Sequence, residues 1–182
     1  RWLALGGVAC LVAGAVVLAL DLAAPRLPGE TPTGSIDLSR AQQVQRQLQQ
    51  ARALVDGGHA GQAIGVYAQV LAEDPGDPVA LAEWGWLDWQ AATAAKKPAQ
   101  VVDGATAVAA SVRAEPGLAV GQFYLGTILL DGGHPDQAAL HFKDFLGDHP
   151  SAKWLGEAAP AIRQAFAQAG QPLPPGVPAA SS

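Results

Sequence analysis

Two histidines sit in nearly identical settings: "DGGHAGQA" at Asp56 to Ala63, and "DGGHPDQA" at Asp131 to Ala138. An imidazole beside a carboxylate and two glycines can form a metal corner, part of a phosphate loop, or a plain turn. A metal corner needs further ligands close by, and neither His59 nor His134 is followed by one three or four residues on. A phosphate loop needs a preceding strand and a Lys behind its glycines, and neither is present. The remaining carboxylates are scattered. Asp88 and Asp103 have no paired acid or His at a general acid–base spacing, and no Ser-His-Asp order suits a hydrolase elbow. His141 and His149 read as surface residues. The sequence therefore points to no catalytic residue, no metal and no cofactor. The duplicated stretch reads as a turn, used twice.

A turn used twice implies a unit used at least twice. Aligned on Ala63 and Ala138, the copies continue to Tyr67 and Phe142, then to proline stops at Pro75 and Pro150, with a third stop at Pro116. Upstream stand Trp84-Gly85 in "LAEWGWLDW" and Leu125-Gly126 in "QFYLGTIL". A large residue and Gly in one helix, then Ala and an aromatic in the next, then Pro, over about 34 residues, resembles the tetratricopeptide repeat. The resemblance implies an all-α solenoid of helical hairpins. Three units are expected, from about 44 to 77, 78 to 118 and 119 to 152, followed by a capping helix with Trp154, Ile162 and Phe166. Pro160 should kink that helix or restart it. The middle unit is seven residues too long, and "AATAAKKPAQVV" is the expected place of an insert between its helices. In this reading Gly58 and Gly133 close a first helix, one glycine of each pair being left-handed. Ala63 and Ala138 let the second helix pack closely, and Trp84 is core.

In that family the first helix of each hairpin lines a concave groove. The matching positions here include Leu48 and Arg52, Trp86 and Trp89, and Phe123 and Thr127. Trp86 and Trp89 share a helix face, being three apart. With Phe123 they would form an apolar patch suited to the apolar side of an amphipathic helix. The competing expectation is that the linker, the insert or the last helix of the same chain fills the groove.

The flanks are different in kind. From Trp2 to Leu20 no residue is charged, a length that as a helix matches a bilayer core of roughly 30 Å. A cleaved signal has a shorter apolar core, of about 7–15 residues, so residues 1–24 are expected to be an uncleaved anchor. The rest of the chain would then lie on the extracytoplasmic side. Residues 25–38 are rich in Pro and Gly and read as a linker, with Ser39 as a helix N-cap. The repeat domain then spans 39–169, and the Pro-rich tail 170–182 is expected to be disordered. A formal charge of −5 argues against nucleic acid, and one Cys excludes an internal disulfide.

An apolar span, a spacer and three repeats together resemble the membrane-anchored tetratricopeptide proteins of c-type cytochrome biogenesis. The stretches that carry this are "VYAQVLAEDPGDPVALAEWGWL" and "FYLGTILLDGGHPDQAALHFKDFLGDHP". The resemblance implies a non-catalytic scaffold or chaperone whose groove holds another envelope protein, such as an apocytochrome, with the lipid bilayer as second partner. The alternative is a structural accessory subunit of a membrane complex.

Overall fold

The structure, a computed structural model, describes residues 33–179. The expected anchor at 1–24 lies outside them. Among the described residues no helix is long and apolar enough to cross a membrane. Within the described residues seven helices follow one another: α1 (Thr33–Asp56), α2 (Ala60–Glu73), α3 (Pro78–Ala94), α4 (Pro98–Ala114), α5 (Ala119–Asp131), α6 (Pro135–Gly147) and α7 (Ala152–Gln168). The chain divides into two units after Ala41, and the repeats belong to the second, Gln42–Ser182.

Local chemistry sets the boundaries. The Asp77 side chain accepts from the Ala80 amide at 2.7 Å and Pro78 opens α3, so a good N-cap and a preset φ coincide. Ser151 caps α7 in the same way. The turn inside each hairpin is a Schellman closure. In the first, the Gly58 amide donates to Val55 O and the His59 amide to Leu54 O; in the third, Gly133 donates to Leu130 O and His134 to Leu129 O. Gly58 and Gly133 both have φ +77°. His59 and His134 follow as exposed N-caps of α2 and α6, in separate hairpins. The middle turn has the same bonds, Lys96 N to Thr93 O and Lys97 N to Ala92 O, but places Lys96 at φ +55°. A side chain there is strained. Lys96→Gly is expected to stabilise by about 0.5–1 kcal/mol and Gly133→Ala to destabilise by about 1 kcal/mol. Urea titration of the two variants checks this, and shifts of the same sign would refute the shared turn geometry.

The long middle unit has no inserted loop. Its turn is as short as the others, and the extra residues lengthen the helices: α3 and α4 have 17 residues each, against 13 each in α5 and α6. The Ala-rich stretch expected as an insert is helix on both sides of Lys96. Other boundaries also move. α1 begins at Thr33, so Ser39 lies inside a helix and the linker does not reach 38. α7 runs unbroken through Pro160, which sits on its exposed side.

Two cores hold the hairpins. One joins Val44, Leu48 and Ala51 of α1 to Ala63, Tyr67 and Val70 of α2 and to Ala80 and Leu87 of α3. The other joins Leu130, Ala138, Phe142 and Phe145 to Ile162 and Phe166 of the capping helix. The tail is not free. Val177 packs on the second core, Arg163 donates to Pro178 O at 2.6 Å, and Lys143 donates to Gln171 Oε1 at 3.0 Å. The composition of 170–182 suggests disorder, but one valine and two backbone-directed or amide-directed cations fold its described part back.

Candidate functional site

Along the row of hairpins, α3 touches α5 and α5 touches α7, while the second helices α2, α4 and α6 have no comparable contact with one another. Curvature of that hand puts α3, α5 and α7 on the inner face. Their inward side is aromatic. Trp86 of α3 stacks on Tyr124 of α5 with centroids 4.6 Å apart and planes 3° apart, and on Trp89 at 5.2 Å and 16°. Phe123 continues the run at 6.0 Å from Tyr124, then meets Phe142, Phe145 and Trp154. Trp86, Trp89, Phe123, Tyr124 and Trp154 are all half-buried, so each keeps surface toward solvent.

A carboxylate sits inside this run. Glu83, one turn before Trp86, accepts a hydrogen bond from the Tyr124 hydroxyl at 3.1 Å. Burial raises its pKa, partly offset by the Tyr124 bond and by Arg52, while Asp56 raises it further. Tyr124 is held neutral by burial and by Glu83. Tyr67 is fully buried; burial first, then Glu83, raises its pKa, and Arg52 beside its hydroxyl lowers it in part. A raised carboxyl pKa means that the folded chain binds its proton more tightly than the unfolded chain does. Stability from Glu83 is therefore present below the unfolded value near 4.5 and falls as pH rises through the folded value. Glu83→Gln keeps an acceptor for Tyr124 and removes the charge. Its stability relative to wild type is expected to improve as pH rises from about 4 to 7. Parallel stability curves for the two proteins would rule this out.

The expected groove residues end in different places. Leu48 is 3% exposed and belongs to the first core, not to a groove. α1 has one apolar stripe, Val44-Leu48-Ala51, and packing on α2 uses all of it. Arg52 is exposed on the same helix. Thr127 is half-buried and its hydroxyl donates back to Phe123 O at 2.9 Å. Trp84, expected as core, is half-buried against the first core. The structural positions Gly58, Ala63, Tyr67, Gly85, Gly126, Gly133, Ala138 and Phe142 lie in turns or in helix contacts, Pro75 in the link between the first two hairpins and Pro150 in the link to the capping helix. His141 is not a simple surface residue. Its Nδ1 lies 2.7 Å from Oε1 of buried Gln122, whose Nε2 donates to Pro116 O at 2.6 Å, and burial lowers its pKa.

Sequence reasoning missed Tyr124 and Glu83. The signal was present: Glu83 is the acid placed next to Trp84 in an apolar helix, and Tyr124 adjoins Phe123. A cleft of about 370 Å³ was also missed. It opens beside Trp89 between Val101, Val102 and Ala105 of α4 and Ile128 of α5, and Val102 is 62% exposed. Among the described residues no group of three or more His, Cys, Asp or Glu side chains is placed to hold a metal ion.

Antiparallel hairpins with an aromatic inner face, turns closed by a left-handed residue and a capping helix define a tetratricopeptide-type helical solenoid. Solved structures share the arrangement. A mutant O-GlcNAc transferase from Thermobaculum terrenum matches at TM-score 0.58 and 19% identity, over 75% of this chain and 23% of that one. The first TPR of Spaghetti (RPAP3), bound to the HSP90 peptide SRMEEVD, matches at TM-score 0.55 and 16% identity, over 71% of this chain and 98% of that one. At these identities the likeness is one of fold. This chain spans less than a quarter of the transferase, at 23%. No family model and no curated protein matches the sequence.

Proposed function

We propose that the protein is a non-catalytic interaction scaffold or chaperone whose inner face holds a segment of another protein. The observation that carries this is the run Trp89–Trp86–Tyr124–Phe123, stacked across two helices and left half-exposed. Contiguous aromatic surface of this kind is what partner anchors pack against. The fold neighbour that carries a bound peptide supports the same use of the groove. Residues 2–20 would tether the scaffold to a membrane, with the repeats on the extracytoplasmic side and an envelope protein as client. An apocytochrome is the client suggested by the resemblance to cytochrome-biogenesis proteins. The uncharged run from Trp2 to Leu20 also favours a second reading, an accessory subunit held in a membrane complex by its anchor.

The test is purification of the full-length tagged protein from gently solubilised native membranes, beside a Trp86→Ala, Trp89→Ala variant. Phe123 is left intact because it packs on the second core. A partner present with wild type and lost from a folded variant supports the scaffold. A fixed set of membrane subunits retained by the variant overturns it in favour of the accessory subunit.

A further inference from the structure

The charge along α3 and α5 is one-sided, whereas α7 carries Lys153 and Arg163 beside Glu157. Neither α3 nor α5 contains a Lys or an Arg; their only charged residues are Glu83, Asp88 and Asp131. Glu83 is half-buried, and its one hydrogen bond comes from a neutral hydroxyl. Arg52 of α1 acts on it electrostatically but closes no salt bridge with it among the described residues. Next to that carboxylate lie the Trp86 and Tyr124 rings, at 4.6 Å from each other. Aromatic faces attract cations, and an Arg guanidinium both stacks on them and donates to a carboxylate. A half-buried carboxylate that closes no salt bridge gains most from a cation that arrives with the ligand.

Resting on the scaffold reading, we propose that the segment held in this groove is a cationic amphipathic one, with an Arg or Lys seated at Glu83 against the Trp86–Tyr124 stack. Its apolar residues lie along Trp89 and Phe123. An acidic segment is disfavoured at this point, because its carboxylate would meet Glu83 beside the stacked rings. This sets the groove apart from one that receives an acidic peptide such as SRMEEVD, the ligand of the fold neighbour.

The test uses the full-length protein in detergent and a set of synthetic amphipathic helical peptides. They are identical except at one position, occupied by Arg, Lys, citrulline or Glu. SRMEEVD is included as the acidic probe. Binding is read by calorimetry and by tryptophan fluorescence, at low and high salt. The Arg peptide is expected to bind on the order of tenfold more tightly than its citrulline twin, and the Glu peptide and SRMEEVD more weakly still. Glu83→Gln should abolish the Arg preference, and salt should reduce it. Equal binding of the Arg and citrulline peptides, lost in the Trp86→Ala, Trp89→Ala variant, would overturn the charge assignment while leaving the groove in place. Tighter binding of the acidic probes, or no binding by any peptide of the set, would overturn the proposal outright. The co-purification result judges the scaffold reading separately.

Discussion

Replacing Phe142 by Ala is expected to destabilise the protein by about 3–5 kcal/mol. Phe142 is 0% exposed and lies within a core built from α5, α6 and α7. Its loss removes packing that three helices share, and the backbone around it has little freedom to collapse. The ring also explains Gly126. A Cβ on Gly126 would stand 2.8 Å from Cε1 and 3.0 Å from Cδ1 of Phe142. Gly126→Ala should therefore cost about 1–3 kcal/mol through overpacking, despite the better helix propensity of Ala. The two losses should not add. In a cycle built on Gly126→Ala and Phe142→Leu, the smaller side chain relieves the clash, and the double variant is expected to lose about 1 kcal/mol less than the sum of the two single losses. Urea denaturation of the four proteins gives the cycle directly. Strict additivity would show that the two positions do not meet.

Pairs such as Gly126 and Phe142 are why so much of this fold is legible in the sequence. A hairpin array depends on residue size at fixed spacing, and size is written in the sequence. The same holds for Gly58 and Gly133, where a positive φ restricts the residue type. What is not legible depends on geometry between helices. The middle unit shows its excess length but not its location, because a longer loop and two longer helices give the same count. Leu48 falls in the core because α1 has a single apolar stripe, which outweighs its position in a repeat alignment. The Glu83–Tyr124 bond joins residues 41 apart, and no local pattern brings them together. The tail misleads by composition: its prolines suggest disorder, while Val177 and the Arg163–Pro178 bond fix it to α7.

The middle hairpin supplies the other large effect. Gly85→Ala and Gly104→Ala are each expected to destabilise by about 1–3 kcal/mol, whereas Gly65→Ala and Gly156→Ala should stabilise by about 0.5–1 kcal/mol. All four glycines lie inside helices, so propensity favours Ala at each of them. Space separates the pairs. A Cβ at Gly65 or Gly156 meets nothing within 4 Å. A Cβ at Gly85 would lie 2.7 Å from Gly104 O and 2.9 Å from Val108 N; one at Gly104 would lie 2.6 Å from Trp89 N and 2.7 Å from Gly85 O. These neighbours are backbone atoms and cannot swing aside as a side chain can. Relief requires α4 to move away from α3, which opens the seam along two 17-residue helices. That displacement would also reach the groove, because the atom against Gly104 belongs to Trp89, whose ring stacks on Trp86. The two seam variants should therefore change tryptophan fluorescence in the folded state as well as lower the unfolding midpoint. Gly65→Ala and Gly156→Ala should raise the midpoint and leave the spectrum unchanged. A gain in stability at Gly85 or Gly104 would mean that α3 and α4 stand further apart than backbone contact, and that the orientation of Trp86 and Trp89 does not depend on the seam.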